Sequence, residues 1–127
     1  MAGEKILIVD DEKDIQDLIK SYVLREGFIP ICAENGSSAL EKIANDKPDL
    51  IILDFMLPDI EGPELCLSIR QKTNVPVLFL SCRSEEIDKI VSLSSGGDDY
   101  ITKPFLPGEL IARIKANLRR SRANSDV

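Results

Sequence analysis

Histidine is absent from the 127 residues of this chain. Its absence excludes histidine-based acid–base catalysis, Ser-His-Asp triads and most transition-metal sites, because all of these need an imidazole nitrogen. The chain also has no histidine of its own from which to donate a phosphoryl group. A candidate site must therefore be sought among other side chains.

Cysteine is scarce. Cys32, Cys66 and Cys82 are far apart in the sequence, odd in number, and form no CxxC pair. This spacing favours neither a zinc site nor a disulfide framework. We therefore expect unpaired thiols, in or near the core, in a reducing compartment.

Long apolar runs are also missing. No stretch approaches the roughly 20 residues that a membrane-spanning helix needs. The apolar stretch near the N-terminus, Ile6–Val9, is followed at once by acids. It is typical of a strand rather than of a signal peptide. The sequence predicts a cytoplasmic protein without a membrane partner.

Positive charge is in deficit, since 16 basic residues stand against 22 acidic ones and the net charge is −6. We do not expect this domain to bind nucleic acid by itself, because phosphate contacts need Lys and Arg. The basic residues nevertheless concentrate near the C-terminal end, at Arg113, Lys115, Arg119, Arg120 and Arg122.

Strand-like and helix-like segments alternate five times. Strands are predicted at residues 5–9, 28–33, 50–53, 75–80 and 100–102, and helices at 13–26, from 37 or 38, at 61–72, at 84–94 and from 107. The first helix is predicted to bury Ile15, Leu18, Ile19, Tyr22 and Val23. Gly27 should end it, Ser37 or Ser38 should cap the second helix, and Pro107 should begin the last. Pro30 suits an edge strand. The alternation predicts a parallel sheet with helices on both faces.

Side chains capable of chemistry follow four of the predicted strands. Asp10 and Asp11 end the first strand and Asp54 ends the third, while Ser81 ends the fourth and Lys103 follows the fifth. Each residue alone could be a helix cap or a surface residue. The carboxyl ends of parallel strands meet at one edge of the sheet, where α/β proteins bind ligands. We therefore expect these side chains to form one site.

The residue types indicate the chemistry of that site. Clustered carboxylates repel one another unless a cation joins them, and oxygen ligands without histidine or cysteine favour Mg²⁺, or Mn²⁺. Asp54 is ionised at neutral pH and can attack phosphorus without a general base. The metal and Lys103 would neutralise the charge on a transferring phosphoryl group. Ser81 could donate a hydrogen bond to the product.

The segments "ILIVDDE", "DLIILDFMLPDIEG", "VPVLFLS" and "GGDDYITKPF" resemble those of the response regulator receiver domain, the CheY-like family. They span nearly the whole chain in the family order. The resemblance implies a flavodoxin-like (βα)5 fold whose five-stranded parallel sheet has the order 2-1-3-4-5. It places the receiver at residues 1–121 and leaves residues 122–127 as a linker or tail.

The resemblance also implies roles for the site residues. Asp54 would accept a phosphoryl group from a sensor histidine kinase. Asp11, Asp54 and the backbone carbonyl of Met56 would bind Mg²⁺, with Asp10 assisting through hydrogen bonds or water. Lys103 would contact the phosphoryl group. The chain would not be an enzyme beyond its own phosphorylation and dephosphorylation.

The resemblance further implies a cis peptide bond and a pair of switch residues. The Lys103–Pro104 peptide bond would be cis. The hydroxyl of Ser81 would move toward the phosphate while the ring of Tyr100 turns inward. Phosphorylation would then favour one of two pre-existing states.

The last third resembles the OmpR/PhoB-type transcription factors. Receivers of that branch form homodimers through the fourth helix, the fifth strand and the last helix. The implied pairs between subunits are Lys89 with Glu109, Asp99 with Arg113, and Asp98 with Arg120. A DNA-binding domain would follow "LRRSRANSDV", and the output would be transcription. The alternative is a stand-alone receiver that signals through protein contacts.

Some residues depart from the family pattern. Cys82 replaces a smaller residue after the switch serine and is expected to crowd the pocket. Met56 and Arg83 occupy positions that tune hydrolysis, and Met56 offers no polar group to orient a water, so a long-lived phosphorylated state is expected.

Three alternative functions are disfavoured. Met56 argues against a haloacid-dehalogenase-type phosphatase, which needs a second Asp at this position, two residues after the nucleophile. A flavin-type binder would lack a phosphate loop after the first strand. A degenerate receiver is disfavoured by the complete set of acids, hydroxyl and lysine.

Overall fold

The computed structural model describes residues 3–82, 90–91 and 94–125, the last three by their backbone alone. The strands are β1 (Lys5–Val9), β2 (Ile29–Ala33), β3 (Leu50–Asp54), β4 (Val77–Ser81) and β5 (Asp99–Thr102). The helices that concern the site are α1 (Lys13–Arg25), α2 (Gly36–Asp46), α3 (Gly62–Arg70) and a C-terminal helix (Pro107–Ser125). The strands form one parallel sheet in the order β2-β1-β3-β4-β5. The predicted flavodoxin-like α/β fold is confirmed.

Alternate residues of the strands face two separate cores. On one face, Leu53 and Phe79 pack with residues of α2 and α3, such as Ile43 and Leu65. On the other face, the strand residues Ile6, Ile8, Ile52, Leu78 and Ile101 pack with α1 and the C-terminal helix. The central strands β1, β3 and β4 are buried on both faces, which explains their continuous apolar sequences.

The edges of the sheet and the ends of the helices agree largely with those predicted from the sequence. Pro30 lies in the edge strand β2, as predicted, and Gly27 follows α1 with a φ of 86°. The predicted cap of α2 was wrong. Asn35, rather than Ser37 or Ser38, is the N-cap, and its side chain accepts a hydrogen bond from the backbone N–H of Ser38 at 2.8 Å. An Asn directly before a helix can cap it as well as a Ser, because its side-chain oxygen accepts the same hydrogen bond.

Two other expectations need correction. Leu18 of α1 is 42% exposed and does not belong to the buried stripe, because the core-facing positions of α1 are taken by Gln16, Ile19 and Val23. Strand β4 begins at Val77 rather than residue 75. The carbonyl of Val75 instead accepts a hydrogen bond from the side chain of Arg70 at 2.6 Å.

The C-terminal helix begins at Pro107, as predicted, and continues to Ser125, beyond the tail boundary expected at residue 122. Its last turns are tied to the sheet because the side chain of Arg122 donates to the carboxylate of Glu4. The fourth predicted helix, which contains Lys89, lies mostly outside the described residues, and so does Arg83. Among the described helices, none is both long and apolar enough to cross a membrane.

Candidate metal centre at the carboxyl edge of the sheet

The structure brings the three predicted acids together. Carboxylate oxygens of Asp10, Asp11 and Asp54 all lie within 4.8 Å of one another. Asp10 and Asp54 are buried at the ends of the adjacent strands β1 and β3, whereas Asp11 is exposed. Because one of the three acids is open to solvent, a cation can reach the cluster.

Lys103 reaches the same site from the end of β5. Its Nζ lies 3.1 Å from Oδ2 of Asp10 and 3.6 Å from Oδ1 of Asp54. Its backbone N–H donates to the carbonyl of Ser81 at 2.6 Å, and the Lys103–Pro104 peptide bond is cis. The lysine is therefore held at both its backbone and its ammonium group.

The electrostatics of the site resist ionisation of Asp54. Burial and then the neighbouring carboxylate of Asp10 raise the pKa of Asp54 from 3.8 to about 6, and Lys103 only partly opposes this. For Lys103, burial acts to lower the pKa, but Asp54 and Asp10 outweigh it and the pKa is raised. One ammonium thus compensates only part of the negative charge of three acids.

A hard divalent cation fits this arrangement. The donor atoms are all carboxylate oxygens, and three carboxylates against one ammonium leave two negative charges uncompensated. Oxygen ligands and a charge of this size suit Mg²⁺ or Mn²⁺. Met56, whose carbonyl was predicted as a further ligand, follows in the next loop, where its backbone N–H lies 3.5 Å from Oδ1 of Asp54.

The loop after β3, residues 55–61, is fastened at its base. The N–H of Phe55 donates to the carbonyl of Leu80 at 2.8 Å, and the N–H of Gly62 donates back to the carbonyl of Phe55 at 2.7 Å. Met56 and Glu61 form an isolated antiparallel bridge. These bonds hold the backbone that presents Asp54.

The tip of the same loop is bound to α2. Both carboxylate oxygens of Asp59 accept hydrogen bonds from the first turn of that helix, from Gly36 N–H at 2.8 Å and from Ser37 N–H at 3.1 Å. These bonds lower the pKa of Asp59. Asp59 and Gly62 were not singled out from the sequence, although both stand in the segment "LPDIEG". The available signal was a glycine in the first turn of a predicted helix, where a better helix former would be expected.

The predicted switch residues lie on neighbouring strands. Phe79 pairs with Tyr100 and Ser81 pairs with Thr102 in the parallel register of β4 and β5. Ser81 and Tyr100 therefore project from the same face of the sheet, on neighbouring strands, and are offset by two residues in the register. Both are buried in this structure. Cys82, directly after Ser81, is exposed.

The residues predicted for a dimer interface make contacts within the chain. Asp99 accepts a hydrogen bond from Nη1 of Arg113 at 2.7 Å, and Nη2 of the same guanidinium lies 3.4 Å from Glu109. Arg120 donates to the side chain of Asn117 at 2.5 Å. Lys89 lies outside the described residues.

Asp98 is engaged by a residue that the sequence reasoning missed. Nη2 of Arg70, at the end of α3, donates to Oδ2 of Asp98 at 2.7 Å and to the carbonyl of Gly96 at 2.6 Å. The same carboxylate oxygen accepts from Val77 N–H at 2.9 Å. Asp98 therefore has an intramolecular cation partner before any subunit contact forms.

The sheet order and the acidic cluster with its lysine define a flavodoxin-like α/β protein with a cation site at the carboxyl edge. The sequence model of the response regulator receiver domain matches residues 6–115. The chain therefore belongs to the receiver domain family of two-component response regulators.

Solved structures agree with this assignment. A two-component response regulator from Clostridium difficile is 38% identical with a TM-score of 0.90, covering 93% of this chain and 98% of that one. The BeF3-activated N-terminal receiver domain of Klebsiella pneumoniae RstA is 35% identical with a TM-score of 0.88, covering 91% and 99%. A CheY-like receiver domain protein from Methanospirillum hungatei is 31% identical with a TM-score of 0.90, covering 97% and 99%.

Proposed function

We propose that this receiver accepts a phosphoryl group on Asp54 from a sensor histidine kinase. The observation that supports this most strongly is the buried Asp54 carboxylate at the end of β3, flanked by Asp10, Asp11 and the ammonium of Lys103. The similar RstA receiver is described as BeF3-activated, which supports the proposal that this receiver also has an activated state. A carboxylate oxygen of Asp54 would form the bond to phosphorus as the phosphorus–nitrogen bond to the kinase histidine breaks, and the imidazole would take the electron pair.

Asp11, Asp54 and the carbonyl of Met56 would hold Mg²⁺, with Asp10 supporting it. The bound ion would neutralise charge on the phosphoryl oxygens. Lys103 lies 3.6 Å from Oδ1 of Asp54, so a phosphoryl group on this oxygen would fall within reach of its ammonium. The ammonium would then stabilise the transferring group electrostatically.

Ser81 and Tyr100 would transmit the modification. Both lie on one face of β4 and β5, and the carbonyl of Ser81 is bound to the backbone of Lys103. A displacement of Ser81 would therefore also displace the backbone at the end of β5. Phosphorylation would shift the balance between two states by its different contacts in each.

Incubation with acetyl phosphate and intact-mass measurement tests the phosphorylation. The wild-type chain should gain one phosphoryl group in Mg²⁺ and none in EDTA. Asp54→Asn should gain none, because an amide is no nucleophile for this transfer. Asp59→Asn, in the same loop but engaged with α2, should still be modified. A full adduct on Asp54→Asn would overturn the proposal.

We also propose that phosphorylation promotes a homodimer of the OmpR/PhoB type. Asp98, Asp99, Glu109, Arg113 and Arg120 would contribute to its interface, with Lys89. Because Asp98 and Asp99 already contact Arg70 and Arg113 of their own chain, a partner's arginine would gain little from each pair. Exposed ion pairs contribute only about 0–1 kcal/mol. The dimer should accordingly be weak without phosphorylation.

Arg120→Glu should weaken the phosphorylated dimer about tenfold or more, because a symmetric interface repeats each reversed charge. Sedimentation velocity of the phosphorylated protein measures this. Arg119→Glu makes the same charge change one residue earlier, at an exposed position with no proposed pair. Equal weakening by both variants would indicate a general charge effect and contradict the proposed pairing.

The output that we propose is transcription, through a DNA-binding domain following the receiver at residues 1–121 and a linker from residue 122. The RstA receiver is an N-terminal domain of its own protein, which supports this organisation. A stand-alone receiver acting through protein contacts is the alternative. Fusing this receiver to a reporter DNA-binding domain and measuring promoter activity with and without phosphorylation distinguishes a transcriptional output from none.

A further inference from the structure

A buried amide lies behind the metal centre. Gln16 of α1 is only 8% exposed. Its Nε2 donates to two backbone carbonyls, that of Asp10 at 2.5 Å and that of Ala33 at 3.3 Å. These carbonyls lie at the ends of the adjacent strands β1 and β2. One side chain thus joins α1 to the carboxyl edge of the sheet beside the acids.

The carbonyl that Gln16 binds belongs to the peptide unit between Asp10 and Asp11. The plane of a peptide unit is rigid, so the direction of this carbonyl determines where the Asp11 backbone, and hence its side chain, begins. Asp11 is exposed, and burial among other side chains does not orient its carboxylate. The orientation of the peptide plane is therefore the main constraint on the acid that faces solvent.

The rest of Asp10 is held in separate ways. Its N–H donates to the carbonyl of Ala33 at 3.1 Å, Oδ1 accepts from Glu12 N–H at 2.9 Å, and Oδ2 lies 3.1 Å from Nζ of Lys103. The bond from Glu12 N–H to Oδ1 closes a ring that contains the Asp10–Asp11 peptide unit, and so restrains this unit through the Asp10 side chain. Among the residues that the structure describes, Gln16 is the one whose side chain binds the carbonyl of that unit itself.

We propose that Gln16 is a positioning residue for the metal centre, which orients the Asp10–Asp11 peptide unit so that the carboxylate of Asp11 faces Asp54. The inference rests on the proposed function, since it assumes that these acids bind Mg²⁺. Mutation of a residue that orients a metal ligand without itself binding the metal typically lowers metal affinity by about 10–100-fold.

The Mg²⁺ affinity of Gln16→Met tests the role directly. Methionine has nearly the same length and shape but cannot donate to the two carbonyls. We expect the dissociation constant for Mg²⁺, measured by isothermal titration calorimetry on the full chain at a temperature where circular dichroism shows it folded, to rise about tenfold.

Gln16→Ser is the second variant if the methionine variant does not fold. The smaller side chain leaves space for water, which can satisfy the carbonyls but does not fix their direction. It should fold and still bind Mg²⁺ more weakly than wild type. Asn117→Leu is the matched control, because Asn117 is also buried and donates to Asp99 and to the carbonyl of Arg113, on the far part of the sheet. It should lose stability without losing Mg²⁺ affinity.

The outcomes separate the two proposals. Wild-type affinity in a folded Gln16→Met or Gln16→Ser variant would overturn the role of Gln16 and leave the proposed function intact. Equal weakening in Asn117→Leu would also overturn it, because a general loss of stability would then explain the effect. Failure of the wild-type chain to bind Mg²⁺ would overturn the proposed function and this inference together.

Discussion

Gly62→Ala is expected to destabilise the domain by about 3 kcal/mol and to slow the phosphorylation of Asp54. A Cβ at residue 62 would lie 2.6 Å from the carbonyl oxygen of Asp54, 2.9 Å from Cα of Phe55 and 3.0 Å from its carbonyl oxygen. All three are backbone atoms at the end of β3 or directly after it. The N–H of Gly62 also donates a hydrogen bond to the carbonyl of Phe55. The backbone that presents Asp54 would have to move to make room for the methyl group.

Chemical denaturation and the rate of phosphorylation by acetyl phosphate measure the two effects. Gly108→Ala is the matched control, because a Cβ there would meet no atom within 4 Å. Gly108 lies in the first turn of the C-terminal helix, where alanine should leave stability unchanged or raise it by a few tenths of a kcal/mol. Similar behaviour of the two variants would show that the close approach at residue 62 is not what the domain requires.

Asp54→Asn is expected to raise the free energy of unfolding by about 3 kcal/mol at pH 7.5 in EDTA. Burial and Asp10 raise the pKa of Asp54 from 3.8 to about 6 in the folded protein. A raised carboxyl pKa means that the protonated form favours folding. The stability that protonated Asp54 contributes is fully present below pH 3.8 and is lost as the pH rises through about 6. An amide resembles the protonated acid at every pH, so the variant keeps the stability that the wild type loses.

The difference between the two proteins should therefore disappear near pH 4, which a series of denaturation curves between pH 4 and pH 8 would show. Mg²⁺ should stabilise the wild type at pH 7.5 more than the variant, since binding to the folded state alone adds stability.

Asp59→Asn is the control, because the opposite change in stability is expected for it. The pKa of Asp59 is lowered by the N–H groups of Gly36 and Ser37, so its ionised form favours folding and the substitution should reduce stability at pH 7.5. A stability gap for Asp54→Asn that did not change with pH would contradict the argument.

The sequence alone was sufficient to predict the fold. Apolar runs such as Leu50–Leu53 and Val77–Leu80 are long enough for strands and lack the period of a helix, and helical patterns separate them in strict alternation. Such a chain has few alternatives to a parallel sheet covered on both faces. The order of the strands came from the family resemblance rather than from these patterns.

The principal acids of the candidate site were also predictable, for a reason of geometry. Asp54 is the last residue of β3, Asp10 and Lys103 directly follow β1 and β5, and parallel strands bring their carboxyl ends to one edge. The structure places a carboxylate oxygen of each of the two acids within 3.6 Å of Nζ of Lys103. A residue that stands at a strand end has its position in space determined by the sheet, however far apart the residues are in sequence.

The supporting residues were decided only by the tertiary structure. Gln16 donates a hydrogen bond to the carbonyl of Ala33, Asp59 accepts one from the N–H of Gly36 at the start of α2, and Arg70 binds Asp98. No local pattern marks such partners, because each is a polar group whose bond depends on which distant backbone atoms the folded chain brings within about 3 Å. Strand and helix periodicity follows from the chemistry of neighbouring residues. Hydrogen-bond partners that are distant in sequence follow from the packing of whole elements, and that packing exists only in the folded protein.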